Sequence, residues 1–132
     1  MNILIIDGQG GGIGCQLIQA VRTKLPDADI TAVGTNSIAT AQMVKNKPDR
    51  AATGENAVIV ACRKAEVIMG PVGIAIADAL VGEVSPAMAA AVGQSDARKI
   101  FIPINKCEIM VAGVKDLPMS RLIEEAVEIL TK

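Results

Sequence analysis

Apolar and polar positions along the chain fall into short alternating blocks. Residues 3–6, Ile-Leu-Ile-Ile, are apolar without alternation, the pattern of a strand covered on both faces in a parallel sheet. Asp7-Gly8-Gln9-Gly10-Gly11-Gly12-Ile13-Gly14 follows directly, and Leu17, Ile18, Val21 and Leu25 then recur at helical spacing up to Pro26. The order is strand, glycine turn, helix. A second strand is expected over 30–34, and a short helix over 38–45, capped by Asn36 or Ser37. Residues 51–56 read as a loop and about 55–65 as a helix, although Val58-Ile59-Val60 would suit a strand equally. Val67-Ile68-Met69 predicts the third strand, broken by Gly70-Pro71-Val72-Gly73, and Ile74 to Val81 a buried helix. Ser85-Pro86 places a hydroxyl cap before a proline at the first helical position, with a helix through 87–92 stopping near Gly93. Lys99–Ile104 and Ile109–Val114 predict the fourth and fifth strands. Pro118 opens a last helix whose Leu122, Ile123, Val127 and Leu130 form an apolar stripe.

This order predicts an α/β chain of Rossmann-like, three-layer form: an open, mostly parallel sheet of about five strands with helices on both faces. At 132 residues the chain has the length of one such domain, spanning 1–132. Hydrophobic residues make up 51% and Phe101 is the lone aromatic, so the core must be built from small and branched aliphatics.

Charge and composition exclude several functions. Lys plus Arg number 13 against 14 Asp plus Glu, a formal net charge of -1, which gives no general attraction to nucleic acid or an anionic membrane. With one Phe and no Trp or Tyr, base stacking has almost nothing to use. The absence of His removes the usual neutral-pH base, the Ser-His and Cys-His pairs and imidazole zinc sites. Cys15, Cys62 and Cys107 contain no Cys-x-x-Cys pair and suit a reducing compartment. Met1-Asn2 leads straight into the first strand without a positive leader, and no apolar run approaches the about 18 residues of a membrane span. The expectation is a cytoplasmic protein with neither a nucleic-acid nor a membrane partner.

The glycine turn carries the candidate chemistry. Glycine at 8, 10, 11, 12 and 14 is denser than a bare turn needs; each lets backbone or ligand approach closely, and the following helix presents unpaired amides to an anion. Gly8, Gln9, Gly10, Gly11, Gly12, Ile13 and Gly14 are therefore the expected phosphate cradle. The dinucleotide pattern Gly-x-Gly-x-x-Gly fails, because Ile13 stands where the third glycine belongs. A Walker loop fails too, since Cys15-Gln16 replaces Lys-Ser or Lys-Thr. The second strand ends Gly34-Thr35-Asn36-Ser37 with no carboxylate for a ribose diol, so Thr35, Asn36 and Ser37 suit a second phosphate and NADP is slightly preferred over NAD. An ordinary helix cap with a polar turn explains the same run equally well. Gly70 and Pro71 end a neighbouring strand and add to the same crevice.

Asp7 can coordinate a metal, take a ligand hydroxyl or accept amides of its own turn, but one carboxylate is a poor metal site and no metal is expected. Glu55, Asn56 and Glu83 are its candidate partners, although Glu55 suits a helix start and Glu83 the neighbourhood of the Ser85 cap. Cys15 lies in the first helical turn, where the helix dipole would lower its pKa; without a histidine partner a buried structural thiol is the stronger reading. Lys106, beside Cys107, can meet a phosphate or carboxylate. Asp7, Cys15 and Lys106 are thus weak catalytic candidates.

The spacing Gly-x-x-x-Gly-x-Gly of Gly8, Gly12 and Gly14 resembles the cofactor turn of short-chain dehydrogenases. That family usually has a threonine or similar residue where Asp7 stands, and this chain has no Tyr to match its catalytic tyrosine, so the resemblance implies binding and not catalysis. The segments Asp7–Gly14, Gly34–Thr40, Ala52–Val58, Gly70–Gly73, Gly82–Ala89 and Ile102–Cys107 together resemble an uncharacterised family of short, mainly clostridial bacterial proteins with a Gly-Gln-Gly-Gly-Gly-Ile-Gly motif. The resemblance implies a bacterial, cytoplasmic, Rossmann-like protein and carries no reaction. Two functions remain open: a nucleotide or phosphorylated-ligand module that is an enzyme, or a non-catalytic sensor using the same crevice. A purely structural glycine turn is the third alternative, and an FMN-binding module would find few rings to stack on. The aliphatic segments 74–81 and 87–92 predict a homodimer.

Overall fold

The computed structural model describes residues 1–104 and 109–132. In chain order the elements are β1 (Asn2–Asp7), α1 (Gly12–Lys24), β2 (Asp29–Gly34), α2 (Ser37–Val44), β3 (Arg50–Thr53) and α3 (Glu55–Lys64). They continue with β4 (Val67–Pro71), a 3-10 turn over Val72–Ala75, α4 (Pro86–Gln94), β5 (Arg98–Ile102) and α5 (Met119–Leu130). The strands form one parallel sheet in the order β3-β2-β1-β4-β5.

β1 is central because its apolar side chains leave it on both faces, as the two-residue period of a strand requires. Ile3 and Ile5 join Leu17, Ile18 and Val21 of α1, Met43 of α2 and Ile123, Val127 and Leu130 of α5 in one core. Leu4 and Ile6 join Val58 and Cys62 of α3 and Met88 and Val92 of α4 in the other. The result is a Rossmann-like, three-layer arrangement with helices on both faces of the sheet. Among the described residues no helix is long and apolar enough to cross a membrane.

Local chemistry accounts for the helix ends. Asn36 Oδ1 accepts the Ala39 amide at 2.8 Å, so Asn36 and not Ser37 caps α2. Ser85 Oγ accepts the Met88 amide at 3.2 Å, with Pro86 at the first position of α4.

Three expected elements differ. Residues 50–53 form an edge strand, not a loop: Arg50-Ala51-Ala52-Thr53 is exposed throughout and pairs with β2 through its backbone, to which Arg50 adds side-chain bonds to Asp29 and Thr31. Ile74–Val81 is not a helix beyond the short 3-10 turn, because Asp78, Leu80, Val81 and Gly82 all take positive φ. Ile74, Ala79 and Leu80 point inward, so much of the apolar surface credited to a subunit contact is used inside the chain, while Ala87 and Ala90 of α4 stay exposed. Residues 109–114 form no strand; Met110, Val111 and Val114 are exposed.

β1 and β4 pack closely enough that a Cβ on Gly70 would strike the Ile6 carbonyl oxygen, whereas one on Gly93 in α4 would meet nothing. Gly70→Ala should therefore cost about 1–3 kcal/mol of stability through overpacking, and Gly93→Ala should add up to about 1 kcal/mol through helix propensity. Urea unfolding of the two variants checks both signs.

Candidate functional site

The strand order reverses direction after β3, when the chain returns to lay β4 on the other side of β1. In open α/β sheets such a reversal leaves a crevice at the carboxyl ends of the strands. The turn from β1 to α1 lies there.

Asp7, the last residue of β1, is 4% exposed. Its Oδ1 accepts the Gly8 amide and its Oδ2 the Gly14 amide, each at 2.7 Å, so one carboxylate holds both ends of the glycine turn. Amide acceptance from its own turn, among the roles open to Asp7 in the sequence, is present in this geometry. Charge-assisted bonds of this kind offset the cost of burying a carboxylate.

The glycines divide by what surrounds them. A Cβ on Gly14 would strike Met43 Sδ, one on Gly11 would lie 2.8 Å from the Ala39 carbonyl, and one on Gly8 would lie 2.5 Å from Thr35 Oγ1 and 2.9 Å from Glu83 Oε1. Gly11 also needs its left-handed φ of 74°. These three glycines answer to the chain's own packing. Gly10 and Gly12 have neither a crowded Cβ position nor a positive φ.

The amides divide in the same way. Gly8 and Gly14 donate to Asp7, Gln9 to Glu83 Oε1 at 2.8 Å, and Gly11 to the Gly8 carbonyl at 2.9 Å. No hydrogen bond among the described residues occupies the amides of Gly10, Gly12 or Ile13. Beside Gly10 and Ile13 lies a cavity of about 70 Å³, lined on its polar side by Asp7, Gly8, Gln9 and Gly10 and on its apolar side by Ile13, Pro71 and Leu80, among others. Pro71 therefore reaches the crevice. Gly70 does not need a ligand to explain it, since the approach of β1 already does.

Thr35, Asn36 and Ser37 do follow β2 into the same crevice, but protein groups engage the first two. Thr35 Oγ1 donates to Glu83 Oε1 at 2.8 Å. Asn36 Nδ2 donates to the same oxygen at 2.7 Å and to the Gln9 carbonyl at 3.0 Å. Ser37 is exposed at the start of α2. Glu83 thus does not act near the Ser85 cap; it reaches across to the β1 and β2 turns. It is Glu55 that meets Ser85, whose hydroxyl donates to Glu55 Oε1 at 2.6 Å. Sequence reasoning undervalued Glu83 because nothing local marks it: its partners lie 48 residues away at Thr35 and 74 away at Gln9.

The segment carrying Glu83 is strained. Asp78, Leu80 and Val81 have φ of 67°, 57° and 57°, and Val81 is both β-branched and 91% exposed. Left-handed backbone costs an L-residue about 1–2 kcal/mol. Buried Leu80 anchors the segment over Gly8.

Burial of Glu83 works to raise its pKa, but the hydrogen bonds from the Gln9 amide, the Thr35 hydroxyl and the Asn36 amide outweigh it and hold the carboxyl below its ordinary range. Burial raises the pKa of the Cys15 thiol, the Asp7 charge adds to this, and the opposing Asn46 bond and Lys45 charge are smaller. The expected lowering by the helix dipole does not prevail. Burial pushes Cys62 up to about 11. Lys106 and Cys107 lie outside the described residues. Among those described, no group of three or more His, Cys, Asp or Glu is placed to hold a metal ion.

The family model described as "Domain of unknown function (DUF3842)" matches residues 2–132, and the chain belongs to that family. No curated protein matches it. Among solved structures, the chain is similar to a dodecameric FMN-dependent Ubix-like decarboxylase from Escherichia coli O157:H7, with 18% identity and a TM-score of 0.48. That match covers 99% of this chain and 75% of the other.

Two measurements test the electrostatics. A depressed folded-state pKa stabilises above the ordinary carboxylate range and loses its effect as pH falls through the folded value. The stability gap between wild type and Glu83→Gln should accordingly be largest near pH 7 and narrow between pH 5 and pH 3, as read from melting temperatures. Iodoacetamide at pH 7.5 should alkylate Cys15 in the folded protein at less than about a tenth of the rate in denaturant, followed by peptide mass.

Proposed function

We propose that this DUF3842 protein binds the phosphate group of a small phosphorylated ligand, such as a nucleotide, at the turn between β1 and α1. The observation that carries the reading is a coincidence at the start of α1: the amides of Gly10, Gly12 and Ile13 have no protein partner among the described residues, and Gly10 and Ile13 line a cavity of about 70 Å³. Helix N-termini favour anions through oriented amides and the helix dipole. Gly10 and Gly12 are also the two glycines of the turn that neither packing nor backbone conformation requires.

The apolar lining from Ile13, Pro71 and Leu80 gives the remainder of a ligand a surface to cover. An NADP-like dinucleotide, with its second phosphate at Thr35, Asn36 and Ser37, is the finer form of the proposal. Glu83 stands at Thr35 and Asn36, so that phosphate must take its place.

Binding without chemistry, as in a cytoplasmic sensor, is the second reading. It is favoured by the engagement of Asp7 with its own turn and by the raised pKa of Cys15. A sensor and an enzyme share the first step, which is ligand capture by the glycine turn.

Inorganic phosphate, titrated calorimetrically, should bind one site per chain and raise the melting temperature with dose. Gly12→Val should lower that affinity at least tenfold while circular dichroism stays native, because a Cβ at Gly12 meets no protein atom. Unchanged phosphate binding by Gly12→Val would remove the turn from the site. Thermal shifts with NADP, NAD, ATP, FMN and sugar phosphates then rank the ligand class.

A further inference from the structure

We infer that the point where Gln9, Thr35 and Asn36 converge is a second anion seat of the crevice, which Glu83 fills and which one phosphate or carboxylate of a doubly anionic small ligand takes over. The pairing of the two seats rests on the reading of the glycine turn given above; the second seat stands on its own contacts.

Three donors of different kinds meet on one oxygen. The Gln9 amide, the Thr35 hydroxyl and the Asn36 carboxamide lie 2.8, 2.8 and 2.7 Å from Glu83 Oε1. They come from two separate turns, and all are neutral. No Lys or Arg forms a salt bridge with Glu83 among the described residues. Convergent neutral donors are how proteins hold phosphate and sulfate without a fixed counter-charge. The space exists because Gly8 has no side chain, for a Cβ there would lie 2.5 Å from Thr35 Oγ1 and 2.9 Å from Glu83 Oε1.

Glu83 fills this seat with one oxygen. Its Oε2 accepts no hydrogen bond among the described residues. A phosphate offers the same donors an equivalent oxygen and keeps others for the rest of the crevice. The residues that deliver Glu83 hold left-handed backbone at Asp78, Leu80, Val81 and Gly82, so withdrawal of the carboxylate would let unfavourable non-glycine conformations relax. The seat also adjoins the first one: Gln9 donates to Glu83, while Gly10, the next residue, contributes one of the amides without a partner among the described residues. A ligand with two anionic groups can therefore bridge them, and Glu83 is a competitor that a singly charged ligand leaves in place.

Phosphate stoichiometry separates the two seats. Inorganic phosphate is titrated by calorimetry into wild type, Glu83→Ala and the double variant Glu83→Ala/Thr35→Val, each checked for native circular dichroism. Glu83→Ala should bind one more phosphate per chain than wild type, and Thr35→Val should weaken that added site at least tenfold. Equal stoichiometry and affinity in wild type and Glu83→Ala, or an added site indifferent to Thr35→Val, overturns the second seat. One phosphate on wild type and one on Glu83→Ala leaves the glycine turn standing and the second seat refuted. None on wild type, with one on Glu83→Ala that Thr35→Val removes, refutes the glycine turn and supports the second seat. Should the alanine variant lose native dichroism, Glu83→Ser, whose side chain is too short to reach the seat, takes its place with the same expected and overturning results.

Discussion

The crevice depends on a single buried carboxylate. Asp7 ends the central strand, and its two oxygens take the amides at either end of the glycine turn. A turn with five glycines has little conformational preference of its own, so without this anchor its backbone would lose much entropy for few contacts. With it, Gly11 seats against Ala39 of α2, Gly14 against Met43, and α1 begins at Gly12. The amides of Gly10, Gly12 and Ile13 take no hydrogen-bond partner among the described residues. Asp7 therefore shapes the turn from within it.

A second tie runs across the strand ends. The segment between β4 and α4 carries Leu80 over Gly8 and Glu83 to the turns after β1 and β2, while Ser85 caps α4 and donates a hydrogen bond to Glu55 at the start of α3. Four turns of the sheet's carboxyl edge are joined in this way by side chains within the six residues Leu80 to Ser85. The backbone strain at Asp78, Leu80 and Val81 is the cost of routing the chain along this path.

This geometry also changes the meaning of the polar run after β2. Thr35 and Asn36 lack a neighbouring acid in the sequence and so suggest a phosphate. In three dimensions an acid is present, brought from a different turn, and it makes the hydrogen bonds expected of that phosphate. Thr35 and Asn36 donate to it as expected of an anion, Ser37 does not, and the Gln9 amide joins them; the anion on these donors is the chain's own.

Residues whose environment follows from their neighbours were legible without a structure. Ile3–Ile6 announces a strand buried on both faces, Ser85-Pro86 and Asn36 announce helix starts through short-range side-chain bonds, and the α5 stripe follows from spacing alone. The glycine turn and its acid were visible for the same reason. β3 was not, since an exposed edge strand of Arg, Ala and Thr pairs through backbone that every sequence shares. Nor were the apolar runs at 74–81 and 109–114, because burial at a strained turn or exposure at the surface both break the link between hydrophobicity and regular structure. The roles of individual glycines and the arrival of Glu83 belong to this second class. They arise from contacts between residues tens of positions apart, and such contacts exist only once the sheet has set which turns stand side by side.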